Sequence, residues 1–350
     1  MCGNASAPAN CEKQSLHPLA LSSIPNERVL LLLGAPRSGT TWVAKVFDSH
    51  PQVLYRHEPD ISLRAANLPY VMERANIPYH LESARAYLQA LLEVRSIKAV
   101  GSRPSFPKDY GDRRLRPLRS TLVAALRLAE IAKPLRPLIN EIAVPDLLGA
   151  TAQGDIHLVL KSVSSGVRAR LFAEALPGCR VIFLIRHPGG QVASMLRGAR
   201  LGKFSVDGWS ADLLESEVGR RYGLSSARHM AFPLLDQMIW NWVLYNETII
   251  DDLADLPTAR VARHQDLVRD PLTQFSKLFG FAGLSWTRQT EEFIRRSTTG
   301  NDGSGYYSIQ RNSAETLEGW RTQLSAADQD RIRDILRDTA IGRRWPDLVE

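Results

Sequence analysis

Two short stretches of this sequence carry residue types suited to holding anions. The first is Gly34-Ala35-Pro36-Arg37-Ser38-Gly39-Thr40-Thr41-Trp42. A loop of this kind between a strand and a helix aims backbone N–H groups at a bound phosphate, and the helix N-terminus adds partial positive charge. Gly39 lets the chain approach a phosphate closely. The Thr40 and Thr41 hydroxyls add donors, and Arg37 supplies a planar cation for oxyanions. Gly34 and Gly39 have the spacing of the nucleotide triphosphatase loop G-x-x-x-x-G-K-[ST], but Thr40 stands in the lysine slot. That lysine reaches the β- and γ-phosphates, so its replacement argues against ordinary ATP or GTP hydrolysis. The second stretch is Arg186-His187-Pro188, with Ser194 eight residues after Arg186. An Arg at the C-terminal end of a strand faces the crevice where α/β sheets bind ligands, and a nearby helical Ser can share a phosphate with it. Each stretch alone has a plainer reading, as a tight turn without ligand or as a surface Arg and a helix Ser.

The surrounding elements have to place these residues. Arg28 to Leu33 reads as a fully buried strand, near-continuously aliphatic as in parallel sheets. Thr40 to Ser49 reads as a helix, stopped by Pro51. Strands are expected at His157–Lys161, Arg180–Ile185 and Arg260–Arg263, and helices at Ser165–Leu176, from Pro188 past Ser194, and at Pro233–Leu256. On the last of these, Trp240, Trp242 and Tyr245 have the spacing of core residues. Further helices are expected near Leu272–Gly280, Thr287–Arg296 and Ala326–Thr339, with a Gly-rich loop at Gly300–Gly305. Alternating buried strands and helices argue for a parallel α/β sheet. Residues 60–150 show no clear strand; helical stretches at Ser83–Val94 and Leu122–Ala132 alternate with Pro-rich breaks.

The chain has 350 residues, 44% of them hydrophobic and 23% charged, which excludes wholesale disorder and fibrous structure. Residues 1–26 are polar and aperiodic and read as a mobile tail; 27–350 read as one domain. Val29 to Leu33 is the longest strongly apolar run, far short of the roughly 20 residues of a membrane helix. No secretory leader is apparent, and a soluble, cytoplasmic protein is expected. Cys2, Cys11 and Cys179 form neither a disulfide framework nor a metal-site spacing, so no metal is expected. The net charge of +7 suggests an anionic partner. No recognised nucleic-acid motif accompanies it, so nucleic acid is not the expected partner. Between Gly101 and Arg136 nine Lys/Arg stand against three Asp/Glu, which could form a solvated helix face or meet an acidic acceptor or a membrane surface.

The two anion-holding stretches resemble those of the sulfotransferases that use 3′-phosphoadenosine 5′-phosphosulfate (PAPS). Pro36-Arg37-Ser38-Gly39-Thr40-Thr41 resembles the family's 5′-phosphosulfate loop, and Val181 to Pro188 with Ser194 resembles its 3′-phosphate motif. Arg37, the following His50-Pro51 and Glu58-Pro59 look closest to the carbohydrate and tyrosylprotein branches. Leu160-Lys161-Ser162, His264-Gln265-Asp266-Leu267 with Asp270-Pro271, and Trp320-Arg321 with Leu324 are weaker echoes.

The resemblance implies a P-loop-like three-layer α/β fold, a central parallel sheet flanked by helices with helical insertions. The 60–150 insertion would shape the acceptor site. It implies transfer of a sulfuryl group from PAPS to a hydroxyl acceptor, a carbohydrate or glycolipid, either neutral or anionic, with release of the nucleotide product 3′,5′-ADP (PAP). Pro36, Arg37 and the Ser38–Trp42 backbone would hold the 5′-phosphosulfate, and Arg186 and Ser194 the 3′-phosphate. Arg311, after the Gly-rich loop, would close over the 3′-phosphate as a late basic loop does in relatives; a plain surface Arg is the alternative. Arg37, with support from Lys161, would stabilise charge on the leaving phosphate. Glu58 is the expected base, a carboxylate ionised at neutral pH, and His57 is the alternative. His187 is expected to shape its turn or touch the nucleotide. A P-loop kinase and a non-catalytic nucleotide- or glycan-binding module are the competing functions.

Overall fold

Five strands build the centre of the protein: β1 (Val29–Gly34), β2 (Val53–His57), β3 (His157–Ser162), β4 (Arg180–Ile185) and β5 (Ala259–Arg263). They lie in the order β2-β3-β1-β4-β5, and every pairing is parallel. This computed structural model describes residues 19–65, 67–110, 114–131, 136–146, 156–203, 211–299 and 317–349. Among them no helix is long and apolar enough to cross a membrane.

The aliphatic run of β1 follows from its place. It is the middle strand, buried along its whole length, with a layer of helices on each face. Side chains alternate across the sheet, so Val29, Leu31 and Leu33 enter one core and Leu30 and Leu32 the other. The first core packs under the helices Leu81–Glu93, Ala169–Ala175, Leu234–Leu253 and Ala326–Arg337. The second packs under helix α1 (Thr40–Asp48) and the helices Pro271–Phe281 and Arg288–Thr299. There Phe47 of α1 stacks on Phe279, ring centroids 4.7 Å apart. The expected α/β architecture, with a central parallel sheet between helical layers, is the one observed.

Register then brings the chemistry to one sheet end. Leu32 and His57 both align with Lys161, and Gly34 aligns with Leu184. The C-terminal ends of β1 to β4 therefore present Gly34, Glu58, Lys161 and Arg186 together, where open α/β sheets bind ligands.

Several boundaries differ from the sequence expectation. The strand β2 has no counterpart in it; five residues that include Arg56 and His57 give too weak an apolar pattern. Ser165–Leu176 divides into a 3-10 turn, Gly166–Arg168, and an α-helix, Ala169–Ala175. The helix expected at Leu122–Ala132 begins earlier and spans Arg116–Ala129, with Pro117 in its first turn where a missing N–H costs nothing. The expected tail is corrected for 19–26. Leu21 and Ile24 are buried, the Leu21 N–H donates to Gln89 Oε1 at 2.6 Å, and Asn26 Nδ2 donates to the Pro177 carbonyl at 2.9 Å. Three buried apolar residues in a polar stretch, Leu19, Leu21 and Ile24, dock it. Residues 1–18 lie outside the described residues.

Candidate active site

The loop from Gly34 to Thr40 turns tightly because its glycines have no room for a side chain. A Cβ on Gly34 would lie 2.7 Å from Thr40 Cγ2 and 2.8 Å from the Leu184 carbonyl oxygen. One on Gly39 would lie 2.4 Å from His264 Cδ2, and Gly39 has φ 96°. The Ser38 N–H donates to the Ala35 carbonyl at 3.1 Å, closing the turn, while the fully buried Ser38 Oγ has no hydrogen-bond partner among the described residues. An orphaned buried hydroxyl beside the first turn of α1, whose leading N–H groups have no partner within the helix, is what an anion-holding loop requires. Pro36 is exposed at the tip, and Thr40 is buried against the loop.

The second anion motif joins the first directly. Arg37 Nε donates to Ser194 Oγ at 3.0 Å, and Arg186 Nη1 donates to the Arg37 carbonyl at 3.1 Å. Ser194 is buried on the helix Pro188–Arg200. His187 caps that helix: its Nδ1 accepts the Gly189 N–H at 3.1 Å and its ring stacks on Trp320 with centroids 4.5 Å apart. Burial pushes its pKa down to about 4, so it is a neutral capping residue, as its turn-shaping expectation requires. Trp242 is core and its Nε1 donates to the Arg186 carbonyl at 3.1 Å. Trp42 turns inward: its N–H donates to the Gly39 carbonyl at 3.1 Å and its Nε1 to Ser297 Oγ at 3.0 Å. That N–H is already spent, so Trp42 anchors the loop.

Beside the loop, Glu58 and Lys161 form an ion pair. The Glu58 N–H also donates to the Lys161 carbonyl at 2.8 Å. Burial pushes the Glu58 carboxyl upward, but the Lys161 ammonium outweighs it and holds the group below its ordinary 4.5. Burial likewise pulls the Lys161 ammonium below 10.5, against the attraction of Glu58 and Asp60. Glu58 is thus more acidic than an ordinary carboxyl. His57 is neutral: burial takes its pKa down to about 3, and its Nδ1 lies 2.7 Å from the Tyr55 hydroxyl.

Arg37 at φ 69° and Glu58 at φ 45° are the non-glycine residues with positive φ among the described residues. Such backbone costs about 1–3 kcal/mol and persists where the surroundings over-determine it. Both are residues singled out for chemistry.

The structure therefore brings together Arg37, Ser38, Gly39, Thr40, Thr41, Arg186, Ser194, Glu58 and Lys161. Arg311 lies outside the described residues. Two neighbours were missed as site residues. His264 closes the wall beside Gly39, and only its place in a weak family echo hinted at it. Asp60 lies behind Glu58, its Oδ2 accepting the Ser162 and Ser165 hydroxyls (the latter at 2.8 Å) while its buried Oδ1 has no partner among the described residues. Burial, with the Glu58 charge adding to it, raises its carboxyl. A lone Asp after a proline gives no sequence signal of such burial.

Residues 30–288 match the family model described as "Sulfotransferase family". Human carbohydrate sulfotransferase 3 is 32% identical over 181 residues, covering 48% of this chain and 34% of that protein. The chain thus spans about a third of the length of that relative. Human carbohydrate sulfotransferase 1 is 23% identical over 338 residues, covering 90% of this chain and 78% of that protein. A mouse sulfotransferase complexed with PAP covers 93% of this chain, and 90% of its own, at 10% identity and TM-score 0.44.

Proposed function

This chain belongs to the sulfotransferase family, and we propose that it moves a sulfuryl group from PAPS to a hydroxyl of a carbohydrate or glycolipid, releasing PAP. The contact chain Ser194–Arg37–Arg186 carries the reading, because it fuses two anion-holding motifs from β1 and β4 into one site. A donor with phosphates at both its 5′ and 3′ positions needs such a double site; ATP does not. The relatives named as carbohydrate sulfotransferases support a sugar acceptor.

The residues fit such a donor. The orphaned Ser38 hydroxyl, the Gly39–Thr41 backbone and the Arg37 guanidinium would hold its 5′ end, and Arg186 with Ser194 its 3′-phosphate. PAPS supplies the sulfuryl group when bound. The buried Lys161 ammonium pairs with Glu58, and the charge of the loop residue Arg37 acts on it. It keeps Glu58 ionised and adds positive charge where the leaving phosphate becomes more negative. Glu58 takes the proton of the acceptor hydroxyl, a transfer that contributes about 10²–10⁴-fold in such reactions.

Thermal unfolding with PAP, ADP or Mg-ATP tests the reading. A ligand at a hundred times its Kd stabilises the native state by about 2.7 kcal/mol. Stabilisation by PAP, without metal and well beyond that by ADP, is the expected result. Preference for Mg-ATP would replace the reading with a kinase.

A further inference from the structure

Residues 95–146 contain eleven Lys/Arg and five Asp/Glu, a net +6 of the chain's +7, leaving 33 against 32 elsewhere. Nearly all of the excess positive charge thus falls in this one stretch of the sequence. The same lobe holds half of the large exposed apolar side chains among the described residues: Leu115 (39% exposed), Leu118 (67%), Leu128 (70%), Ile131 (73%), Leu138 (63%) and Ile142 (42%).

Its main helix, Arg116–Ala129, is turned the unusual way round. The charged residues face the body, where Arg119 Nε donates to the Pro145 carbonyl at 3.0 Å, Arg127 Nη2 to the Gly101 carbonyl at 2.7 Å, and Arg116 to the Lys108 carbonyl. Leu126 is buried between them against Ile97 and Val144. The outward stripe is Leu118, Thr121, Ala125 and Leu128, spaced three and four apart and without a charge. On this helix Arg116, Arg119 and Arg127 therefore do not form the outward face. Arginines beneath and beside an exposed apolar stripe, with Lys98, Arg103 and Arg114 exposed around it, complement a surface that is apolar inside and anionic at its rim.

We propose that this lobe docks on an anionic lipid bilayer, with the apolar stripe of the Arg116–Ala129 helix in the headgroup boundary. The lobe adjoins the site: the helix Ile97–Val100 packs on β2, and the Lys98 charge acts on the Glu58 carboxyl. Docking thus holds Glu58 close to the bilayer, which selects a glycolipid over a free sugar. That last step rests on the sulfotransferase reading; the docking itself does not.

The test is flotation of the full chain with phosphatidylglycerol–phosphatidylcholine vesicles and with pure phosphatidylcholine vesicles, alongside sedimentation without lipid. The anionic vesicles should bind at least about tenfold more strongly, and salt should weaken the binding. Leu118→Gln/Leu128→Gln should lose at least about tenfold of it while keeping the wild-type melting temperature and PAP stabilisation. No binding by the wild type, equal binding to both vesicles, or undiminished binding by a folded double variant overturns the proposal. So does a lipid-free dimer that the double substitution dissolves, since the stripe would then meet a second copy. Vesicle binding without PAP stabilisation would leave the docking standing and the sulfotransferase reading fallen.

Discussion

Around Gly34–Thr41 the arginines follow the ends of neighbouring strands and reach into each other's motif, while in the 95–146 lobe the helix arginines donate to loop carbonyls and the apolar side chains are left outside. There Arg37 and Arg186 engage each other's motifs across neighbouring strands, and the two loop glycines have packed neighbours, Gly34 against Thr40 and Gly39 against His264. In the lobe, Arg119 and Arg127 spend their donors on carbonyls, and Leu118 and Leu128 meet solvent. The same residue type therefore does two jobs. Arg at a strand end ties two neighbouring loops together; Arg under a surface helix accompanies an outward apolar face. Basic charge in the sequence does not distinguish them.

The contrast can be broken at the site first. Glu58→Gln should cut sulfuryl transfer by about 10²–10⁴-fold with PAP affinity intact, measured by initial rates and calorimetric titration. Wild-type-like turnover would remove Glu58 as the base.

Gly39→Ala should come next. A Cβ at φ 96° and 2.4 Å from His264 forces the loop apart. Stability should fall by about 1–3 kcal/mol in denaturant unfolding, and PAP stabilisation should shrink with it. An unchanged protein would mean that the loop is not rigid and the contrast with the lobe is false.

Arg186→Ala should be milder. Hydrogen bonds to charged groups are worth about 1.5–3 kcal/mol, so the preference for PAP over ADP should drop by about 10–100-fold in competition binding. An unaltered preference would place the 3′-phosphate elsewhere.

The smallest effect on turnover belongs to His57→Gln, within about threefold in steady-state rates if Glu58 is the base. Its signature lies in stability. The folded pKa of His57 is about 3, below its ordinary 6.5, so its contribution is complete above pH 6.5 and erodes as pH falls toward 3. Unfolding free energies of the wild type should decline across that window, and the variant should decline less. Glu58 works at lower pH. Its depressed carboxyl stabilises the fold above 4.5, and the contribution is lost as pH falls through the folded value. Equal slopes in wild type and His57→Gln would show that the imidazole is not buried as described.

What could be read from the sequence was local. The run Val29–Leu33 is buried on both faces, and only a central strand of a parallel sheet needs that; the glycines at 34 and 39 follow from a strand turning directly into a helix. Those features depend on a few adjacent residues, so the tight Gly34–Thr40 turn, the strand ending before Arg186 and the α/β class were legible. β2 was not, because a five-residue edge strand with Arg56 and His57 in it is stabilised by β3 and not by its own pattern. The pairing of Lys161 with Glu58 joins residues 103 apart, and that of Arg37 with Ser194 joins residues 157 apart. The burial of Asp60 and the outward turn of Leu118 and Leu128 are likewise set by what packs behind them. Side-chain partners at such separations are chosen by sheet register and helix rotation, quantities that exist only once the chain has folded.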